Sequence, residues 1–151
     1  MKAGARNFLF VNVPPLDRSP GGKFFLCKKS EADALMSLTT PPYTVALEVT
    51  RGLKETCETW NDHLSSYSNT FAAEARQATI LLFSAHAVLT EVLDDFVEFN
   101  FNENDVEEAG GAIWLDELHL TSMVHFLMAE HLHRALESHP ALNICSYSNH
   151  L

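Results

Sequence analysis

Apolar residues along the chain follow two different periods, and the alternation between them predicts the architecture. Phe8-Leu9-Phe10-Val11-Asn12-Val13 is a short apolar run closed by Pro14-Pro15. It reads as a strand buried on both faces, the kind found in parallel sheets. A second run of this type is Ala78-Thr79-Ile80-Leu81-Leu82-Phe83. Between them Val45, Val49, Leu53, Cys57, Trp60, Leu64 and Tyr67 recur at steps of three or four, which predicts a long helix with these residues on one face. Pro41-Pro42 suits its first turn, where a missing amide donor costs nothing. Gly52 inside it costs about 1 kcal/mol relative to Ala, too little to break so long a stripe.

A further helix is predicted from about Ala85 to Phe96, with Val88, Val92 and Phe96 in register, and another from about Thr121 to Ser138. In the latter Val124, Leu127, Met128, Leu132 and Ala135 form the buried stripe, and Thr121 or Ser122 caps the first turn. The segments from Pro14 to about Pro42 and from Asn100 to Gly111 read as loops, and the residues after Pro140 as a polar, frayed tail. Strands alternating with helices indicate an α/β fold with parallel pairing. Two strands alone make a marginal sheet in water, so the pattern reads as part of a larger one.

The 151 residues, 46% of them hydrophobic and 20% charged, fit one compact domain and not a disordered chain. A net charge of −10 repels phosphate backbones and anionic lipid, which argues against nucleic acid or a polybasic membrane attachment. No stretch approaches the roughly 20 apolar residues of a membrane span, and no secretory signal is visible at the N-terminus. Cys27, Cys57 and Cys145 form no metal-like pair and read as reduced, non-catalytic thiols. His131 and His133 point away from each other on a helix and His125 has no partner four residues on, so no metal or other cofactor is expected.

One segment carries candidate chemistry. In Ile113-Trp114-Leu115-Asp116-Glu117-Leu118-His119-Leu120-Thr121-Ser122 an acid precedes a His by three residues, in a loop leading into the last helix. An Asp that accepts from one ring nitrogen fixes the tautomer and leaves the other nitrogen free to take a proton from a nucleophile. Such spacing recurs by chance in many proteins, so the pair alone is a weak signal.

Its context is more specific. Asn7 to Val13 with the following Pro14-Pro15-Leu16-Asp17-Arg18-Ser19-Pro20 resembles a strand and loop of fungal GDSL-type (SGNH) esterases, including carbohydrate esterase family 16. Trp60-Asn61-Asp62-His63-Leu64 and Leu82-Phe83-Ser84-Ala85-His86 look like that family's next helix and last strand, and Ile113 to His119 like its final motif. The resemblance runs from about Gly4 to Ala135. It implies a partial three-layer α/β/α sandwich over residues 1–139, with N-terminal strands missing and a tail over 140–151. It also implies ester hydrolysis through a Ser-His-Asp triad, with Asp116 and His119 as two members and a small-molecule or carbohydrate ester as substrate.

The family's Ser, Gly and Asn blocks lie upstream of the first strand, and no such block occurs near Met1. The chain is therefore expected to begin inside the domain. Leu120 departs from the Pro that usually follows the family's His. Nothing present replaces the missing blocks. Asn61-Asp62 has no Gly two residues before it, and Ser19 and Ser122 lack the strand-to-helix elbow that exposes a nucleophile. His86 is expected to pack beside the site, and Asp17-Arg18 to form a local ion pair in its turn. The alternative to an esterase is a truncated, inactive remnant or a partner-binding paralogue. A flavodoxin-like redox domain is disfavoured, because no phosphate-cradling loop follows the first strand.

Overall fold

The computed structural model describes residues 4–23 and 42–138, except the side chains of 42–50. The strands β1 (Asn7–Val11) and β2 (Thr79–Phe83) pair in parallel, with Asn7 opposite Thr79 and Val11 opposite Phe83. Between them run a 3₁₀ turn at Leu16–Arg18 and the long helix α1 (Pro42–Glu74). After β2 come α2 (Ala85–Asp94), the short α3 (Glu103–Glu107) and α4 (Ser122–Ser138). The chain is thus mixed α/β with a two-stranded parallel sheet. Cys27, Cys145 and the C-terminal tail lie outside the described residues, as does most of the loop before α1.

Period-2 alternation sends the two faces of the strand pair to different helices. Phe8 and Phe10 meet Phe71 of α1 edge-on, with ring centroids 5.1 and 6.2 Å apart. Phe83, of opposite parity, packs with Ala85 and Val88 of α2 and with Met128, Leu132 and Ala135 of α4. The larger core lies beyond the sheet. Leu89, Val92, Leu93, Phe101, Val106, Ile113, Trp114 and Val124 are buried there together.

The face of α1 turned inward differs from the expected stripe. Cys57 and Ser68 are buried and Leu53, Asn61, Leu64 and Phe71 are half-buried, whereas Trp60 and Tyr67 are 61% and 70% exposed. Hydrogen bonds decide this rotation. The Asn61 side-chain amide accepts from Val13 N at 2.8 Å and donates to Val13 O at 2.9 Å, so it stands in for a neighbouring strand. The Ser68 hydroxyl is satisfied by donating to Leu64 O at 2.7 Å. Burying Trp60 instead would break both Asn61 bonds, each worth about 1 kcal/mol net and more if a buried group is orphaned.

Asn12 performs a similar task at the end of β1. Its side chain donates to the Ser84 hydroxyl at 3.0 Å and accepts from His86 N at 2.9 Å, while Ser84 caps α2 by accepting from Ala87 N. The acidic stretch expected to be all loop contains α3. Asn102 accepts from Asn104 N and Asp105 N, and Asp105 reaches back to Asn102 N, forming a capping box.

Among the described residues the outer edge of β1 is unpaired, and Leu9 and Val11 are 43% and 50% exposed on the face opposite Phe8 and Phe10. An apolar free edge is a template for strand addition. The isolated chain is expected to self-associate with rising concentration in sedimentation velocity. Leu9→Lys, which puts a charge on that edge, should shift the distribution to monomer. A wild-type chain that stays monomeric at high concentration would remove the argument.

Candidate active site

The loop carrying Asp116 and His119 is closed at its base by backbone pairing. Leu115 N donates to His119 O at 2.8 Å and Thr121 N to Ile113 O at 2.9 Å, making an antiparallel bridge between Trp114 and Leu120. Trp114 and Ile113 are fully buried anchors, and the Trp114 indole N–H donates to Val106 O at 3.2 Å. The bridge uses the amides of Leu115 and Thr121 and not that of Leu120. The identity of residue 120 therefore does not decide this pairing. The Thr121 hydroxyl donates to Ala112 O at 2.5 Å, bracing the loop and not capping α4 as expected.

Within the loop Asp116 divides its two oxygens between two tasks. Oδ1 accepts from Leu118 N at 2.8 Å and from His119 N at 2.7 Å, an Asx-type turn that fixes the carboxylate. Oδ2 lies 2.8 Å from His119 Nδ1. The two side chains are 54% and 72% exposed, so the ring is held at one nitrogen and open at the other. Hydrogen bonds from the His119 and Leu118 amides, and then from the ring itself, pull the Asp116 pKa down to about 2. It is an anion at any pH near neutrality, the state needed to hold Nδ1–H and direct Nε2 outward as a base.

A second loop docks on this one. Gly21 N donates to Glu117 O at 2.5 Å, and a Cβ on Gly21 would lie 2.7 Å from that same oxygen. Only glycine admits this approach. The 3₁₀ turn before it is held by Ser19, whose buried hydroxyl donates to Leu16 O and accepts from Gly22 N, both at 2.8 Å. Ser19 thus holds this turn together. Arg18 does not pair with Asp17 as expected. It reaches across to Asp94 on α2 at 2.6 Å, tying the loop to the core helix.

The structure brings together Asp116 and His119 and leaves the other candidates elsewhere. His86 sits in the first turn of α2, with its Nδ1 3.5 Å from the Thr90 hydroxyl. His133 pairs with Glu137 along α4 at 3.3 Å. Among the described residues no three His, Cys, Asp or Glu side chains are placed to share a metal ion, and no helix is long and apolar enough to cross a membrane. Sequence reasoning missed Gly21 and Glu117 as the contact between the two loops. A Gly-Gly pair eight residues after an apolar strand was the available signal.

Asp105 is the other carboxylate held in its charged form. Ala112 N donates to its Oδ1 at 2.8 Å and Asn102 N to its Oδ2 at 3.0 Å, which lowers its pKa against the opposing cost of burial. A depressed folded-state pKa means that the unfolded chain binds protons first. The stability supplied by Asp105 and Asp116 is then full above about pH 4 and lost as pH falls through each lowered pKa, for Asp116 toward about 2. Thermal melts across this window should show Tm dropping steeply for the wild type. Asp105→Asn should start lower and fall less; an equal slope would show that Asp105 is not a source of the acid sensitivity.

No protein-family model matches the chain, and no curated protein is significantly similar to it.

Proposed function

We propose that the chain supplies the Asp-His pair of a GDSL-type ester hydrolase, the activity implied by its resemblance to that family. The observation that supports this most is the 2.8 Å contact between Asp116 Oδ2 and His119 Nδ1, on a carboxylate whose other oxygen is fixed by two amides. In this reading Asp116 orients the ring. His119 Nε2 takes the proton of a serine as it attacks the ester carbonyl, then returns it to the leaving alcohol. The serine and the oxyanion donors come from sequence outside these 151 residues. The strand pair then belongs to a larger three-layer α/β/α sheet that continues past β1. The substrate is an ester of a small molecule or carbohydrate.

A second reading is a catalytically inactive, partner-binding relative. It is favoured by one observation: no described hydroxyl or thiol hydrogen-bonds the His119 ring. Both readings expect the 151-residue chain alone to leave a short p-nitrophenyl ester at the buffer rate. They separate when a family-like N-terminal half bearing Ser, Gly and Asn blocks is fused upstream. Turnover that disappears with His119→Ala supports the hydrolase. A folded fusion without turnover supports the inactive relative.

A further inference from the structure

The two residues between Asp116 and His119 form one wall of a cavity of about 650 Å³. Glu117 and Leu118 face Leu16, Ser19, Gly21 and Gly22 of the docked loop, and Gly52, Leu53 and Thr56 of α1 close the far side. Apart from the Glu117 carboxylate, the polar side chains of its described lining are already committed. The Ser19 hydroxyl is used within its own turn, the Thr56 hydroxyl donates to Gly52 O at 2.7 Å, and Gly21 N is spent on Glu117 O. What remains is the aliphatic surface of Leu16, Leu53 and Leu118 and the bare backbone of three glycines. A space of this size suits an apolar ligand, with the Glu117 carboxylate as the lining side chain left, among the described residues, to accept a hydrogen bond. Glu117 at the wall adds a negative charge, which disfavours a free fatty carboxylate and admits a neutral chain.

We infer that this cavity binds the aliphatic chain of a neutral ester. The assignment of the chain to a substrate rests on the hydrolase reading; the binding of the chain itself does not. Gly52 allows a clean test. A Cβ built there meets nothing within 4 Å, so a larger side chain has open space, and replacing glycine inside a helix favours the helical state.

Titration of the chain with ethanol, n-butanol and n-hexanol, followed by amide NMR, separates the possibilities. Shifts are expected at Gly21, Gly22, Gly52, Thr56 and Leu118, with affinity rising about fourfold per added methylene, the equivalent of about 0.8 kcal/mol each. Butanol to hexanol should therefore gain about fifteenfold. Gly52→Leu should abolish the shifts without lowering the melting temperature, and Leu118→Ser should weaken them. Affinity independent of chain length, or binding unchanged by Gly52→Leu, overturns the inference. Asp116→Asn should leave alkanol binding intact. If alkanols bind as expected but the fused enzyme turns over no ester, the hydrolase reading fails and the cavity assignment stands.

Discussion

Asp116→Asn in the fused enzyme is expected to lower turnover by about 10³–10⁴-fold with little change in folding. The asparagine oxygen can still accept from Leu118 N and His119 N, the two bonds that shape the turn. Its amide then faces His119 Nδ1, the position now filled by Oδ2 at 2.8 Å. An amide donates where the carboxylate accepted, so Nδ1 must become the acceptor and the ring proton moves to Nε2. The nitrogen meant to act as base is then blocked. A ¹⁵N spectrum of the imidazole should show this exchange of tautomers, and the melt should stay close to wild type. Asp116→Ala should differ by loosening the turn as well. An Asp116→Asn enzyme within about twofold of wild type would disprove the orienting role.

The second large effect is on stability. Trp114→Ala removes a fully buried indole and its hydrogen bond to Val106 O. Large-to-small changes of this kind cost about 3–5 kcal/mol, a large share of a domain's roughly 5–15 kcal/mol. Tm should fall by on the order of 10 °C. Because Trp114 also forms the base of the dyad loop with Leu120, the same substitution should broaden the amide signals of Leu118 and His119. A variant that melts within 2–3 °C of wild type would place the weight of the core elsewhere.

Both strands and the three long helices were legible as apolar runs or apolar repeats at helical spacing, although β1 leaves Leu9 and Val11 exposed where burial on both faces was expected. The rotation of α1 was not, because apolar periodicity gives Asn61 and Ser68 no weight. The Asn61 amide completes two backbone hydrogen bonds and thereby outcompetes Trp60 for the inner face. Helix α3 was hidden by its charge, although Asn102 and Asp105 stand at capping-box spacing. The Asp116-His119 contact could be read from spacing and resemblance. The docking of Gly21 on Glu117 joins loops 96 positions apart, and no local pattern announces such a contact.

The bridge between Trp114 and Leu120 has a consequence for how the molecule assembles. It joins residues six apart, and the core beneath it is drawn from the stretch between Leu89 and Met128. The strand pair depends instead on partners such as Asn12 and Ser84, 72 residues apart. Closing a short loop costs less chain entropy than closing a long one, and units rich in local contacts form fastest. The Asp-His pair thus sits on the part of the chain richest in local contacts, which is expected to form before the sheet. Opening of the β1–β2 pair would leave the imidazole and carboxylate still facing each other. The sheet can accept, lose or exchange a neighbouring strand without taking Asp116 and His119 apart.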